Sequence, residues 1–537
     1  MGLAMLLGGF LGFAPVAQAQ GNYTDDALLY SRQGPAGTAR TLGLGGANVA
    51  LGGDFGSLTS NPAGLGLFTK SEISFTPGLG FGNSSSTPLA NAASQGGVAG
   101  MTQSANSFHV ASLGIVFASR RPDNDNSSAW RGGSFALGFT RLADYNQGFR
   151  YQNVTNDDHS LLQYLREPGR NGDYTSASYQ NAINGQGGIA DQYNSGNYLS
   201  IDGLAAGGSL TTSNSVRNPN NPNGPLILRL STPLRNGPIT QDEQVLTKGS
   251  MSQFDLGYGG NYRDRLYIGG GIGIVSLSRT RTSTYTESSD GGEDFTLQDN
   301  LKTTGTGINA RLGLIYRVID QVRLGASVQT PTYIQLQDTY STTLTSQYSP
   351  NGQNNVFTTL PGNDTYSVTT PFRANGGVAV VLGKYGFVTG DVEYVGYGQT
   401  RYNTTGNNDT GLDFNRPNQL ISTYYQNALN FRVGAEGRFD IFRARLGFAR
   451  YGSPYASSLA NTNRDQNYFT GGLGLRTGSF FLDAAGVYTT TQNQYSPYTL
   501  ATDNPATKFV SVANGVAPVI ATDYHRFTVS LTGGLIF

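Results

Sequence analysis

The end of the chain alternates between apolar and polar side chains. Apolar residues occupy positions 527, 529, 531, 535 and 537, and arginine, threonine, serine and glycine occupy most positions between them. Successive side chains of a strand point to opposite faces, so this pattern predicts a strand with one apolar and one polar face. A strand that ends the chain on Phe537 is typical of an outer-membrane β-barrel, whose apolar face contacts lipid. The alternative is an edge strand of a soluble sandwich.

The same alternation recurs from Glu72 to the end of the chain. We predict about fourteen strands, an even number within the range of bacterial single-chain barrels. The predicted strands begin near Glu72, Ser107, Gly132, Ser252, Leu266, Thr304, Val322, Tyr366, Phe387, Ala428, Phe442, Tyr468, Phe480 and Tyr524. The fold class is therefore all-β, a transmembrane antiparallel barrel.

The connections between these strands distinguish a barrel from a sandwich. From the fourth strand onward, tight turns such as residues 263–265 alternate with long polar segments such as residues 283–303. Long loops at one end and short turns at the other are typical of outer-membrane barrels. Residues 145–251 form a segment far longer than an ordinary loop. We expect it to be extracellular, with a short helical turn around residues 160–166.

The composition agrees with a barrel and argues against an enzyme. Charged residues make up 13% of the chain, against about 25% in typical soluble domains. The formal net charge is zero, so no nucleic-acid partner is indicated. With three histidines and no cysteine, we predict neither a metal site nor a cofactor. A barrel hydrolase remains an alternative, but it would depend on His525, beside which no serine is marked.

The chain begins with the only long apolar run, from Met1 to Val16. It ends in Val-Ala-Gln-Ala, with small residues at Ala17 and Ala19 as in a secretory cleavage site. We therefore predict a signal peptide over residues 1–19. Because no other run is long and apolar enough for a transmembrane helix, we expect the chain to cross the membrane as strands, in residues 71–537.

Residues 20–70 show no alternation and are rich in glycine. They also contain many apolar residues, such as Leu42, Leu44, Phe55 and Leu58, which are too many for a solvated linker. We predict that this segment forms a hatch, a plug inside the barrel, with a flexible periplasmic linker as the alternative.

A motif in this segment carries a resemblance to a known family. Asp54 is followed by Asn61-Pro62-Ala63-Gly64-Leu65, just before the first predicted strand. This arrangement resembles the FadL/TodX family of outer-membrane hydrophobic-compound and long-chain fatty acid transporters. Further matching stretches occur at residues 370–375, 384–394 and 431–436. The chain looks most like the versions found in Bacteroidetes-type bacteria.

The resemblance implies a fourteen-stranded barrel plugged by an N-terminal hatch. In such proteins a hydrophobic substrate enters from outside and leaves sideways through a gap in the wall. The corresponding hatch residues are Asp54, Asn61, Pro62, Ala63 and Gly64, and a kink in the third strand would be permitted by Gly132, Gly133 and Gly138. The implied function is passive uptake of long-chain fatty acids or aromatic hydrocarbons across the bacterial outer membrane.

Arginines on the lumen side of the predicted strands offer two interpretations. Arg432 and Arg445 could bind the carboxylate head group of a ligand. Alternatively, they belong to a network of ion pairs that stabilises the wall, which we favour. The expected partners are the hydrophobic ligand, outer-membrane lipid and lipopolysaccharide, and a protein partner on the extracellular loops. A hydrophilic porin and a barrel for surface assembly or secretion are the rival functions.

Overall fold

The protein is described by a computed structural model. It covers residues 23–122, 124–125, 127–166, 177–218, 221–291, 294–347, 355–405, 412–456, 464–500 and 517–537. The predicted signal peptide, residues 1–19, lies outside the described residues.

Fourteen antiparallel strands form a closed barrel. They are β1 Glu72–Pro88, β2 Met101–Arg120, β3 Trp130–Asp144 continued by Gln147–Thr155, β4 Ile239–Tyr262, β5 Leu266–Ser289, β6 Phe295–Arg317, β7 Val322–Gln329 continued by Tyr333–Ser346, β8 Gly362–Thr369 continued by Arg373–Val381, β9 Gly386–Gly396 continued by Arg401–Thr404, β10 Asn427–Phe439, β11 Phe442–Tyr451, β12 Gln466–Arg476, β13 Phe480–Tyr495 and β14 Ile520–Ile536. Pairing of β14 with β1, with Phe527 opposite Phe81, closes the barrel. The predicted all-β barrel is confirmed.

Among the described residues, helices and short strands occupy several segments outside the barrel strands. The helices are α1 Tyr23–Ser31, α2 Ala39–Gly43, α3 Ser57–Ser60, α4 Leu161–Arg166, α5 Ala177–Asn184, α6 Ile189–Ser195, α7 Ile201–Gly207 and α8 Asn415–Tyr424, with 3₁₀ turns at Pro62–Leu67, Asp157–His159 and Tyr397–Gln399. The short strands are Gly96–Val98, Thr212–Asn218, Asn221–Ser231 and Asn355–Thr358. In the described part of the chain, no helix is long and apolar enough to span a membrane.

The two faces of the wall differ in polarity. On β6, the outward side chains of Ile308 and Leu312 are 55% and 65% exposed. The inward side chains of Asn309 and Arg311, by contrast, are buried. Because hydrocarbon cannot hydrogen-bond, a closed ladder with an apolar exterior is the arrangement that strands adopt in a bilayer.

Residues 145–251, which we expected to be a long extracellular loop with one short helical turn, contain strand near both ends. The second part of β3 pairs with the first part of β4. The prediction failed because β4 and β5 have 24 residues each, whereas about ten are enough to cross the membrane. Beyond the lipid the outer face need not be apolar, so alternation no longer marks the strand. The helical turn predicted at residues 160–166 is confirmed as α4.

The loop between β3 and β4, which we call the cap, packs on the ends of the barrel strands that lie away from the short turns. The guanidinium of Arg235 lies 2.6 Å from a carboxylate oxygen of Glu287 on β5 and 3.3 Å from one of Asp157. An apolar cluster surrounds these charges and includes Leu162, Leu204, Phe295 and Leu344. A buried ion pair inside an apolar cluster therefore holds the cap against the wall.

Candidate functional site

The segment before β1 lies inside the barrel, and Asp54 organises it. One carboxylate oxygen of Asp54 accepts hydrogen bonds from the hydroxyl of Thr41 and the backbone N–H of Gly56, both at 2.8 Å. The hydroxyl of Thr38 donates to both oxygens at 2.9 Å. Asp54 is itself buried. These bonds tie α2 to the turn before α3, so Asp54 holds the hatch together rather than lining a cavity.

Asn61 connects the hatch to the wall. Its side-chain amide donates to the carbonyl of Val49 at 2.7 Å and to that of Leu314, on β6, at 3.1 Å. Its side-chain oxygen accepts from the N–H of Ala63 at 3.1 Å, which caps the 3₁₀ turn Pro62–Leu67. A Cβ added to Gly64 would lie 2.7 Å from the Ser57 hydroxyl. The predicted motif 61–64 therefore lies together, at the contact between hatch and barrel.

Glycines on the inner wall receive the hatch. A Cβ built on any of them would come closer than 3.0 Å to hatch atoms: Gly114, Gly138, Gly259, Gly269, Gly313, Gly325, Gly434 and Gly447. They lie on eight different strands, and real Cβ atoms essentially never make such short contacts. The hatch thus fits closely against much of the wall, in the half of the barrel nearest the short turns. This set of glycines was not predicted from the sequence, although glycine at inward positions of successive strands was a visible signal.

Buried polar groups add directional contacts between the hatch and the wall. On β9, one carboxylate oxygen of Asp391 accepts from the backbone N–H groups of Asn48 and Val49 at 2.8 and 3.0 Å. On β14, the hydroxyl of Thr532 accepts from the N–H of Ala39 at 2.7 Å. Paired backbone groups and close packing together leave the hatch well anchored.

The predicted head-group arginines lie in ion-pair networks. Arg445 is 2.8 Å from Glu436, its direct neighbour across the β10–β11 ladder, and also contacts Asp483. Arg432 donates to the side chain of Asn375 at 2.6 Å and lies 3.9 Å from Glu393. It lines a cavity of only about 60 Å³. The geometry therefore shows both arginines engaged with protein groups beside the hatch.

The ladder between β2 and β3 is incomplete. It runs from Arg120 opposite Gly132 to Ser112 opposite Thr140. Beyond that point the described residues form no further ladder pair between these strands, although β2 continues to Met101. Each strand has a β-bulge where the ladder ends. The extra residue is Ala111 on β2 and Leu142 on β3. We call the unpaired region, between residues 101–111 and 141–148, the lateral gap.

The predicted kink glycines lie below the lateral gap. Gly132 has a φ of +139° and sits at a register shift at the start of β3. Gly133 and Gly138 lie within the paired part of the strand, and Gly138 faces the ring of Phe55. The interruption between the two parts of β3 comes instead at residues 145–146. Phe108 on the outer face beside the gap is 73% exposed, as expected for a lipid-facing side chain.

A cavity of about 430 Å³ lies inside the lateral gap. Its apolar lining includes Leu28, Leu29, Pro35, Leu42, Leu142 and Val487. Its charged lining consists of four arginines and two aspartates, namely Arg32, Arg141, Arg464, Arg526, Asp25 and Asp144. A site with an apolar body and an excess of positive charge suits an amphipathic anion.

Helix α1 forms the inner side of this cavity. Asp26 on α1 lies 2.8 Å from the Arg279 guanidinium of β5. Burial raises the pKa of the Asp26 carboxyl, and the neighbouring arginine opposes the shift. The hydroxyl of Tyr425 donates to the carbonyl of Thr24 at 2.7 Å. These contacts hold α1 in the part of the lumen above α2.

His525, the residue on which a hydrolase would depend, lies on the outer face of β14. Its side chain is exposed, and its Nδ1 is 3.0 Å from the hydroxyl of Tyr488. The structure thus places this histidine beside a tyrosine, in a stacked arrangement of the two rings.

Comparison with known proteins gives structural matches. No family model and no curated protein sequence matches the chain. Among solved structures, a FadL homologue from Pseudomonas aeruginosa has a TM-score of 0.51 at 11% identity, covering 93% of this chain and 98% of its own. The toluene transporter TodX of P. putida has a TM-score of 0.49 at 10% identity, covering 94% and 99%. The Ralstonia pickettii toluene transporter TbuX has a TM-score of 0.47 at 14% identity, with the same coverage.

The likeness to the FadL homologue extends over nearly the whole of both chains. At this level of identity it is a likeness of fold. The likeness shows that the chain has this homologue's fold, and the closed barrel with its apolar exterior identifies the chain as an outer-membrane β-barrel.

Proposed function

We propose that the protein is a passive channel through which hydrophobic small molecules cross the outer membrane and leave sideways into the lipid. The main support for this proposal is the lateral gap in the wall. Through this gap, the cavity beside α1 faces the surrounding lipid. The hatch fills the lumen below the cavity. A molecule in the cavity therefore meets an opening at its side and close packing beneath it.

Lateral release suits an apolar cargo. Transfer of apolar surface from water to hydrocarbon is favourable by roughly 25 cal/mol per Å². A route through the periplasmic end would instead pass buried charges such as Arg40, Arg445 and Glu436. The close fit of the hatch also argues against a hydrophilic porin, which needs a continuous aqueous path.

The charge of the cavity favours one class of cargo. Four arginines face two aspartates around an apolar lining. A long-chain fatty acid offers a carboxylate for the arginines and a chain for the apolar residues. A neutral aromatic hydrocarbon offers these arginines no carboxylate. We therefore favour fatty acids over aromatic hydrocarbons, with outer-membrane lipid and lipopolysaccharide around the apolar exterior.

Uptake by cells tests this proposal. Strains with and without the gene are compared for labelled oleate, toluene and a small sugar. We expect loss of the gene to reduce oleate uptake most and to leave sugar uptake unchanged. A fall in sugar uptake alone would support a porin instead, and equal uptake of all three compounds in both strains would contradict the proposal.

A further inference from the structure

Asp144, at the end of the first part of β3, reaches across the lateral gap. One of its carboxylate oxygens accepts from the hydroxyl of Ser107 on β2 at 3.2 Å. The other lies 3.2 Å from the guanidinium of Arg526 on β14. Asn146 fixes the carboxylate from its own strand, since its backbone N–H and its side-chain amide donate at 2.8 and 2.7 Å. One side chain thus links the two edges of the gap and a third strand.

The charges around Asp144 do not balance. Arg141 lies 3.3 Å from the carboxylate, so two arginines share one acid. His109 has its Nδ1 3.9 Å from the same carboxylate and makes no hydrogen bond through that atom. The Nε of Arg141 is also buried without an acceptor among the described residues. The remaining charged side chains of the cavity are Arg32, Arg464 and Asp25.

This arrangement resembles an anion site that the protein fills with its own carboxylate. The side chains of Asp144, Arg141 and Arg526 are 18%, 16% and 22% exposed, and all three line the cavity. Arginine holds carboxylates through its fork of N–H donors, whichever molecule supplies them. A carboxylate that enters the cavity therefore competes directly with Asp144.

We propose that Asp144 is a latch on the lateral gap, opened when the carboxylate of the cargo replaces it on Arg141 and Arg526. The inference rests on the proposed function and adds how the gap is controlled. Once displaced, Asp144 keeps only its hydrogen bonds from Asn146, and the edge of β3 is released from Ser107 and Arg526. A neutral compound cannot make this exchange, so the latch selects for acids as well as controlling opening.

The test uses the full-length protein in phospholipid nanodiscs, with laurate and its neutral analogue dodecanol as probes. Binding is measured by calorimetry. Opening is measured as the rate of disulfide formation in the double variant Gln103→Cys with Gly148→Cys, since the chain has no cysteine of its own. A Cβ on Gly148 would lie 3.1 Å from the Cγ of Gln103, across the gap. Opening should slow this cross-link.

We expect laurate to slow cross-linking and dodecanol to leave it unchanged. Asp144→Asn should bind laurate about ten- to a hundredfold more tightly, because a competing charged acceptor is removed. It should also cross-link slowly without ligand. Asp320→Asn, the same change at an exposed aspartate in the turn between β6 and β7, should leave laurate affinity unchanged.

Other results would overturn the inference. Equal slowing by laurate and dodecanol would show that charge exchange does not open the gap, and this comparison needs no variant at Asp144. Weaker laurate binding by Asp144→Asn would mean that Asp144 orders the arginines instead of competing for them. Tight laurate binding without any effect on cross-linking would leave the proposed function standing and exclude the latch. Failure of both probes to bind would contradict the proposed function itself.

Discussion

Asp391 is expected to hold the hatch against the wall, and its removal should loosen the hatch measurably. The side chain is buried, and one oxygen accepts two backbone hydrogen bonds from Asn48 and Val49. In Asp391→Ala, both N–H groups lose their acceptor in a buried site. Each buried donor left unpaired costs about 1–3 kcal/mol. A combined cost of about 3 kcal/mol raises the population of the released hatch about a hundredfold.

A single thiol can report that population. Ala379 on β8 is fully buried against the hatch residues Leu44, Ala50 and Leu51, so Ala379→Cys places a thiol between wall and hatch. A thiol-reactive maleimide labels it only when the hatch leaves the wall, so the labelling rate follows the released fraction when opening is fast and reversible. We expect labelling about a hundredfold faster in the Asp391→Ala background than in the parent.

Asp391→Asn serves as the matched control because it keeps an oxygen at the same place. It should label only slightly faster than the parent. If Asp391→Ala labelled at the parent rate, the reasoning about these two hydrogen bonds would be refuted. If the asparagine and alanine variants labelled equally fast, the negative charge would matter rather than the hydrogen bonds.

Two further predictions concern the inner wall and the cap. Gly447→Val should displace the hatch and speed the same thiol labelling, whereas Gly376→Val, with nothing within 4 Å of its Cβ, should not; equal labelling in the two variants would contradict the close fit. Arg235→Ala leaves the buried carboxylate of Glu287 without its cation, a loss of about 3–5 kcal/mol. It should make the loop between β3 and β4 sensitive to protease, while the exposed Arg217→Ala should not; unchanged resistance would show that the cap does not depend on this ion pair.

Much of the barrel could be predicted because lipid imposes a period-two pattern on each strand. Where β4 and β5 extend beyond the membrane, lipid no longer imposes this pattern. The outer parts of these strands were therefore not predicted. The hatch was predictable for the opposite reason, since an apolar segment without alternation must be buried elsewhere. Within it, Asp54 and Asn61 were identified through the resemblance, and the structure shows each making several hydrogen bonds.

The lateral gap was not predictable at the residue level. A gap is an absence of pairing between β2 and β3, and alternation within each strand carries no information about the neighbouring strand. The bulges at Ala111 and Leu142 likewise depend on strand register. The partner of Arg445, however, could have been predicted from the sequence. A tight turn at residues 440–441 fixes the β10–β11 register and places Glu436 directly opposite.

Arg432 and Arg445 were predicted as head-group residues because they are arginines at inward positions. Both are inward on well-defined strands, but inward position alone does not show whether an acid already faces the arginine. Arg526 shares that inward position on β14 and lies beside the gap, where it lines the cavity. Distinguishing these cases needs the strand order around the barrel, which the three-dimensional structure supplies.

The most direct test of lateral release is to lock the gap. The double variant Gln103→Cys with Gly148→Cys places two thiols across it, in a chain without other cysteines. Oleate uptake is measured in cells carrying the oxidised and the reduced form, with each single variant as a control. Our account predicts that oxidation lowers uptake to the level of cells without the gene and that a reductant restores it. Uptake at the parent rate through the fully cross-linked barrel would contradict lateral release.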